Sequence, residues 1–174
     1  MLKSERLTLR AIEREDLLRF VEWVNDVEVS YHLRLLLPMN LEDETAWYEQ
    51  QRQAESTLNF SLVITADETL IGSIGLMKID QRNQQAELGI MLGDKSKWGQ
   101  GYGPEAITLL VDYAFRQLNL HRIYLHVDAS HVKAIHSYRQ CGFVEEGRLR
   151  DNVFHHGQFE DQLIMSVLRS EWSN

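Results

Sequence analysis

One stretch constrains this chain more than any other: Glu87-Leu88-Gly89-Ile90-Met91-Leu92, followed by Lys97-Trp98-Gly99-Gln100-Gly101-Tyr102-Gly103-Pro104-Glu105-Ala106. Leu88, Ile90 and Leu92 share one face and Met91 takes the other, the pattern of a buried strand. Gly99, Gly101 and Gly103 leave the backbone free for conformations that other residues avoid. Pro104 brings the fixed φ suited to a first helical turn. Ala106, Ile107, Leu110, Val111, Ala114 and Leu118 then repeat at helical spacing. A strand, a glycine loop and a helix start together present free N–H groups at the positive end of a helix dipole, a seat for phosphate. Glycines before a helix also occur simply as tight turns. Spacing excludes two familiar phosphate loops: no Gly-Lys-Ser/Thr follows, and the glycines run G-x-G-x-G, not G-x-G-x-x-G.

Around that stretch the chain alternates strands and helices. Arg6 to Arg10 alternates as a first strand. A helix is expected from Arg14 to Val24, stopped by Asn25 and Asp26. Asn40 reads as an N-cap with Asp43 at the capping-box position, opening a helix to about Ala54. An irregular, apolar link from Glu28 to Met39 separates the two. Phe60–Ile64 and Leu70–Ile79 read as strands, with Gly72 and Gly75 marking a bulge or a close backbone approach. Beyond the helix from Pro104 to Leu118 come a strand from His121 to Val127 and a helix from Lys133 to Cys141. Two strands follow, Phe143–Phe154 and Phe159–Leu168, turned at His155-His156-Gly157. This order predicts an α/β fold of the α+β type. It is a single domain over residues 1–174, with a mixed, mostly antiparallel sheet of about seven strands flanked by about four helices.

Composition narrows the partners. A net charge of −8 argues against nucleic acid and is compatible with a cationic substrate. No apolar run approaches the ~18 residues of a membrane span. Cys141 is the only cysteine, so no disulfide framework exists and a reducing cytoplasm is the expectation. It lies on an apolar helix face without a base, which makes it a poor nucleophile. His155-His156 are adjacent, and His121, His126, His131 and His136 are scattered, so no metal site is expected.

The strand–loop–helix resembles the acyl-CoA-binding segment of the GNAT N-acetyltransferases, where Gln/Arg-x-x-Gly-x-Gly/Ala opens a helix. Trp98 stands where Gln or Arg is usual, as in the branch of ribosomal-protein N-terminal and spermidine acetyltransferases. Lys133 to Phe143 resembles the second signature of that family, ending Tyr-x-Lys-x-Gly-Phe. His131 occupies a position that often holds Asn, and Gln140 replaces a frequent Lys.

The resemblance implies transfer of an acetyl group from acetyl-CoA, the co-substrate, to a primary amine by direct attack in a ternary complex, without a metal. It implies cofactor contacts from Ile90, Met91, Leu92, Trp98, Gly99, Gln100, Gly101, Tyr102, Gly103, His131 and Lys133. The family's strand is bulged around Ile90 to Leu92, where N–H groups polarise the thioester carbonyl. Tyr138 takes the position of a general acid near the cofactor sulfur, although on pattern alone it is a core aromatic. Glu87 takes that of a base acting through water, although on pattern alone it is an ion-paired carboxylate. A base matters because an alkyl amine of pKa ~10.4 is neutral only about once in 2,500 molecules at pH 7. Leu35-Leu36-Leu37-Pro38 stands where polyamine enzymes carry acidic residues, which favours a peptide N-terminus or a small apolar amine as acceptor. Alternatives are a polyamine acceptor and a non-catalytic CoA-binding sensor. A homodimer is also compatible.

Overall fold

Side-chain alternation builds the sheet. In β6 (Arg122–Asp128) the odd residues Ile123, Leu125 and Val127 are buried, while Tyr124 and His126 face the other way and stay half-exposed. The computed structural model describes residues 1–33, 35, 38–155 and 157–172. Its strands are β1 (Leu2–Lys3), β2 (Leu7–Ala11), β3 (Leu58–Ile64), β4 (Leu70–Asp80), β5 (Gln85–Leu92), β6, β7 (Val144–His155) and β8 (Gln158–Leu168). They form one eight-stranded sheet in the order β1-β2-β3-β4-β5-β6-β8-β7. Every neighbouring pair is antiparallel except β5 and β6.

The helices are α1 (Leu17–Val24), α2 (Val27–Ser30), α3 (Leu41–Gln53), α4 (Tyr102–Arg116) and α5 (Val132–Gln140). The fold class is as the sequence implies, with one strand and one helix more than expected. β1 has two residues, too few to show alternation. α2 is a single turn inside the stretch read as irregular, and Asp26 caps it by accepting from the Glu28 N–H at 2.9 Å. Asn40 does cap α3, accepting from Glu42 and Asp43, and Asp43 reaches back to the Asn40 N–H. The bulge foreseen in β4 exists: the register shifts where Leu62 faces Gly72 and Val63 faces Leu70. A Cβ on Gly72 would stand 2.1 Å from the Met91 carbonyl oxygen.

Two cores result. The larger lies under α4 and α5 and gathers Leu88, Leu110, Val111, Ile123, Leu125, Tyr138, Phe143 and Met165, among others. The smaller lies on the opposite face, where Phe20 and Trp23 of α1 meet Tyr48 of α3 and Met91 of β5. Asp16 pins that layer to the sheet. Its carboxylate takes Arg10 through both oxygens at 2.6 and 2.7 Å, the Ser61 hydroxyl at 2.7 Å and the Glu13 N–H at 2.9 Å. Among the described residues, no helix is long and apolar enough to cross a membrane.

Candidate active site

The parallel strands β5 and β6 pair only at Gln85↔Arg122, Ala86↔Ile123 and Glu87↔Tyr124. Beyond Glu87 they part, β5 continuing against β4 and β6 against β8. Parity tells which groups face the gap. The Gln84 carbonyl accepts from Arg122 at 3.1 Å on the β6 side, and the Gly93 N–H donates to Ile71 at 2.9 Å on the β4 side. Alternation therefore turns the N–H and C=O groups of Ile90 and Leu92 into the gap and those of Met91 toward Ser73. Of the three residues expected to meet the cofactor, Ile90 and Leu92 turn their backbone groups into the gap and Met91 turns its groups away from it. The register against β4 is regular from Glu87 to Leu92, and its shift lies at Met77/Asp80. Divergence of the strands, not a bulge, opens the edge.

The glycine loop closes one end of this gap. Gly101 is the N-cap of α4 at φ 83, and Gly99 sits at φ 73, both in the left-handed region. Among the described residues, no protein acceptor takes the N–H groups from Gly99 to Gly103. These five donors converge at a helix start, an arrangement that can hold phosphate oxygens. Trp98 donates its indole N–H to the Leu92 carbonyl at 2.8 Å, tying loop to strand. Gln100 donates its amide to Ser96 at 2.6 Å, so its side chain braces the turn. Across the gap, His131 is the N-cap of α5 and Lys133 lies exposed in its first turn.

A residue that the sequence pattern did not mark holds the loop in place. Arg6 donates from Nε to Glu105 at 2.7 Å and from Nη1 to the Gln100 carbonyl at 3.0 Å, with its guanidinium 4.6 Å over the Tyr102 ring. Ser4 adds a hydroxyl bond to Glu105 at 2.6 Å. Glu105 is thereby held below the usual carboxylate range; these bonds outweigh its partial burial.

Tyr138 and Glu87 lie on opposite faces of the sheet. Tyr138 packs in the larger core, its ring 5.9 Å from that of Phe143 and only 9 % exposed. Burial pushes its phenol up to about 12, with Cys141 adding to the effect. Among the described residues its hydroxyl makes no hydrogen bond. Glu87 is the last β5 residue paired with β6 and points to the other face. Its Oε1 lies 2.8 Å from His126 Nδ1 and its Oε2 2.7 Å from the Lys78 ammonium, an ion pair angled poorly for a hydrogen bond. Burial opposes its charge, but Lys78 and His126 win and hold the carboxyl below its ordinary value. Cys141 is buried and its thiol is pushed up, so it remains an unreactive core residue.

Residues 6–144 match the model of the acetyltransferase (GNAT) domain. The chain belongs to the GNAT acetyltransferase family. It is an acetyltransferase that takes its acyl group from acetyl-CoA and delivers it to an amine. It is 34% identical to a spermidine N(1)-acetyltransferase of Vibrio cholerae, over 98% of both chains. It is 28% identical to a ribosomal N-acetyltransferase-like protein of Bacillus subtilis, over 97% of this chain and 94% of the other. A crystal structure of spermidine N-acetyltransferase from Vibrio cholerae with CoA and spermine superposes with a TM-score of 0.90. That pair is 32% identical and covers 97% of this chain and 98% of that one.

The acetyltransferase also gathers histidines that sequence spacing left scattered. His32, between α2 and α3, stacks on His131 with ring centroids 3.9 Å apart and planes 10° apart. Burial and the neighbouring His32 push His131 down to about 4, so its imidazole is neutral at physiological pH. A neutral imidazole here donates one hydrogen bond and accepts another, and brings no charge.

Proposed function

We propose that this acetyltransferase modifies a polyamine of the spermidine type, with Tyr138 and the Glu87–His126 pair serving the two proton transfers. The observation that carries the acceptor is Glu44, in the first turn of α3. It is 6 % exposed, and among the described residues its carboxylate has neither an ion pair nor a hydrogen bond. Burial alone raises its pKa. Its side chain is largely shielded but its oxygens stay within reach of solvent, so an incoming ammonium group can pair with it and offset the partial desolvation. The net charge of −8 favours the same acceptor, as does the likeness to spermidine acetyltransferases. The contrary sign, the apolar run Leu35-Leu36-Leu37, rests in part on Leu36 and Leu37, which lie outside the described residues.

The cofactor's pyrophosphate sits on the N–H groups of Gly99 to Gly103, and its pantetheine arm runs along the open edge at Ile90 and Leu92. The thioester then lies between β5 and β6, with His131 and Lys133 on the far bank. The neutral amine attacks the carbonyl carbon, a C–N bond forms, and the C–S bond breaks to release CoA thiolate. The amine's proton leaves on the Glu87 side. Glu87 itself, held below its ordinary value, is too weak a base to keep that proton. Its hydrogen bond to His126 Nδ1 leaves Nε2 as the basic lone pair. Tyr138 supplies a proton to the thiolate. Full transfer from a phenol at about 12 to a thiol of pKa ~8.5 is uphill by about 5 kcal/mol, so the proton is shared in the transition state and not handed over early. Holding both reactants in attack geometry lowers most of the barrier.

The unit is read as one catalytic domain over 1–174 working in the cytoplasm, where Cys141 stays reduced. Self-association is read from the exposed Phe154 and Phe159 on the β7–β8 hairpin, each 63 % exposed and 5.0 Å apart. Thiol release from acetyl-CoA with spermidine, a free-amine peptide and an arylalkylamine tests the acceptor. Spermidine should lead by kcat/KM, and Glu44→Gln should raise its KM while sparing a monoamine. A peptide that leads, with Glu44→Gln silent, would replace this reading.

A further inference from the structure

We propose that the acetyltransferase binds one divalent transition-metal ion at an accessory site formed by His32, Asp128, His155 and Glu160. The site adjoins the acyl-transfer region through the His32–His131 stack, but none of its four ligands is assigned a step in acetyl transfer, which does not require the ion. Asp128 ends β6, His155 ends β7, Glu160 lies in β8, and His32 comes from the segment between α2 and α3. No stretch of sequence contains them together, and the fold brings them to one point.

The distances are those of ligands awaiting an ion. His155 Nε2 lies 2.7 Å from Glu160 Oε2 and 3.9 Å from Asp128 Oδ2, and one ligand atom from each of these three residues falls within 4.8 Å of the others. His32 Nδ1 approaches the same Asp128 Oδ2 at 3.1 Å. Donors bound tetrahedrally at ~2.1 Å from one zinc ion stand about 3.4 Å apart, in the middle of this range. Asp128, His155 and Glu160 form the core of the set; His32, which reaches only Asp128 among them, with its ring centroid 6.4 Å from that of His155, joins as a fourth ligand by turning its side chain.

The second layer supports the same reading. Gln162 donates to Asp128 Oδ1 at 3.3 Å, and the Ser130 N–H donates to Glu160 Oε1 at 2.8 Å. Each carboxylate thus has one oxygen pinned by a neutral donor and the other presented to the imidazoles, the arrangement that orients ligating carboxylates. Asp128 is 4 % exposed and Gln162 1 % exposed, so the pinning is rigid and dry. Two carboxylates bring two negative charges, which one divalent ion balances. Two imidazoles select a borderline ion such as Zn²⁺ or Co²⁺ over Mg²⁺ or Ca²⁺. Bound there, the ion ties the segment carrying His32, on the acceptor side, to the ends of β6, β7 and β8.

The test is a titration of the EDTA-treated full chain with Co²⁺ alone, followed by visible absorption. The expected result is a ligand-field spectrum that saturates at one equivalent, is displaced by one equivalent of Zn²⁺, and persists in excess Mg²⁺. Asp128→Asn and His155→Ala should each weaken Co²⁺ binding by at least about tenfold, and Gln162→Ala by less. His136→Ala, exposed on α5, should bind like the parent. Melting curves check that each variant folds. Should Asp128→Asn fail to fold, Glu160→Gln replaces it with the same expectation. Absence of a saturable spectrum in the parent overturns the proposal, as does Co²⁺ binding unchanged in both His155→Ala and the carboxylate variant.

Discussion

Residues 87–105, read as the donor side, act through backbone: the open edge of β5 and five free N–H groups across the glycine loop and the first turn of α4. The opposite side draws on side chains from three separated segments, with Glu87 and His126 paired at 2.8 Å and His32 on Asp128 at 3.1 Å. The difference teaches where a sequence declares itself. A seat made of backbone needs glycines at fixed spacing after a strand, and that spacing is local. A face made of side chains depends on which strands meet, and no local spacing encodes that.

The largest effect expected falls between the two regions. Tyr138→Phe keeps the ring and its packing, so acetyl-CoA affinity should hold while kcat falls by ~10²–10⁴. Stopped-flow turnover beside a binding titration reads both. Unchanged turnover would return Tyr138 to the core and leave positioning as the whole of the catalysis.

Next comes the support of the acceptor-side layer. Asp16→Ala strands Arg10 and Ser61 and should cost about 3 kcal/mol, roughly 6–12 °C of melting temperature. The bonds to Arg10, Glu13 and Ser61 overcome burial and hold the Asp16 carboxyl below its ordinary value. Its contribution is therefore full above the usual carboxylate range and disappears as pH falls through the depressed pKa. Parent and variant should converge in stability toward strongly acidic pH. A gap that stays constant down the pH scale would remove the charge from this account.

On the donor side, acetyl-CoA at 100 times its Kd should stabilise the parent by about 2.7 kcal/mol. Gly101→Val should erase most of this, since valine does not adopt φ 83. Gly103→Ala should erase little, because its Cβ would meet only Leu92 Cδ1 at an ordinary 3.5 Å. Equal losses would mean that space above the loop, not its backbone conformation, matters. The smallest effect belongs to Arg6→Ala. The Arg6 side chain is 44 % exposed, so its ion pair is worth about 0.5–1 kcal/mol and acetyl-CoA affinity should fall only two- to fivefold.

The same contrast explains what could be read beforehand. The helical spacing from Ala106 to Leu118 and the Asn40–Asp43 capping box are local, and the structure has a helix at each, α4 ending at Arg116. The alternation of Glu87 to Leu92 was visible, but the parting of β5 from β6 was not, because it depends on β8 capturing the other edge of β6. Arg6 reaches a carbonyl 94 residues away, and His32 an aspartate 96 residues away. Neither pairing leaves a mark on its own neighbours. The two-residue β1 and one-turn α2 are shorter than any period that would reveal them.

The claim at the centre is that acetyl-CoA is held by backbone along a parted strand. Amide hydrogen exchange with and without acetyl-CoA, resolved to single residues, tests it most directly. The account predicts new protection at Gly99 to Gly103 and at Ile90 and Leu92, with no change at Met91, whose N–H already faces Ser73. Protection that leaves Ile90, Leu92 and the glycine loop unchanged, or that appears at Met91 instead, would contradict it.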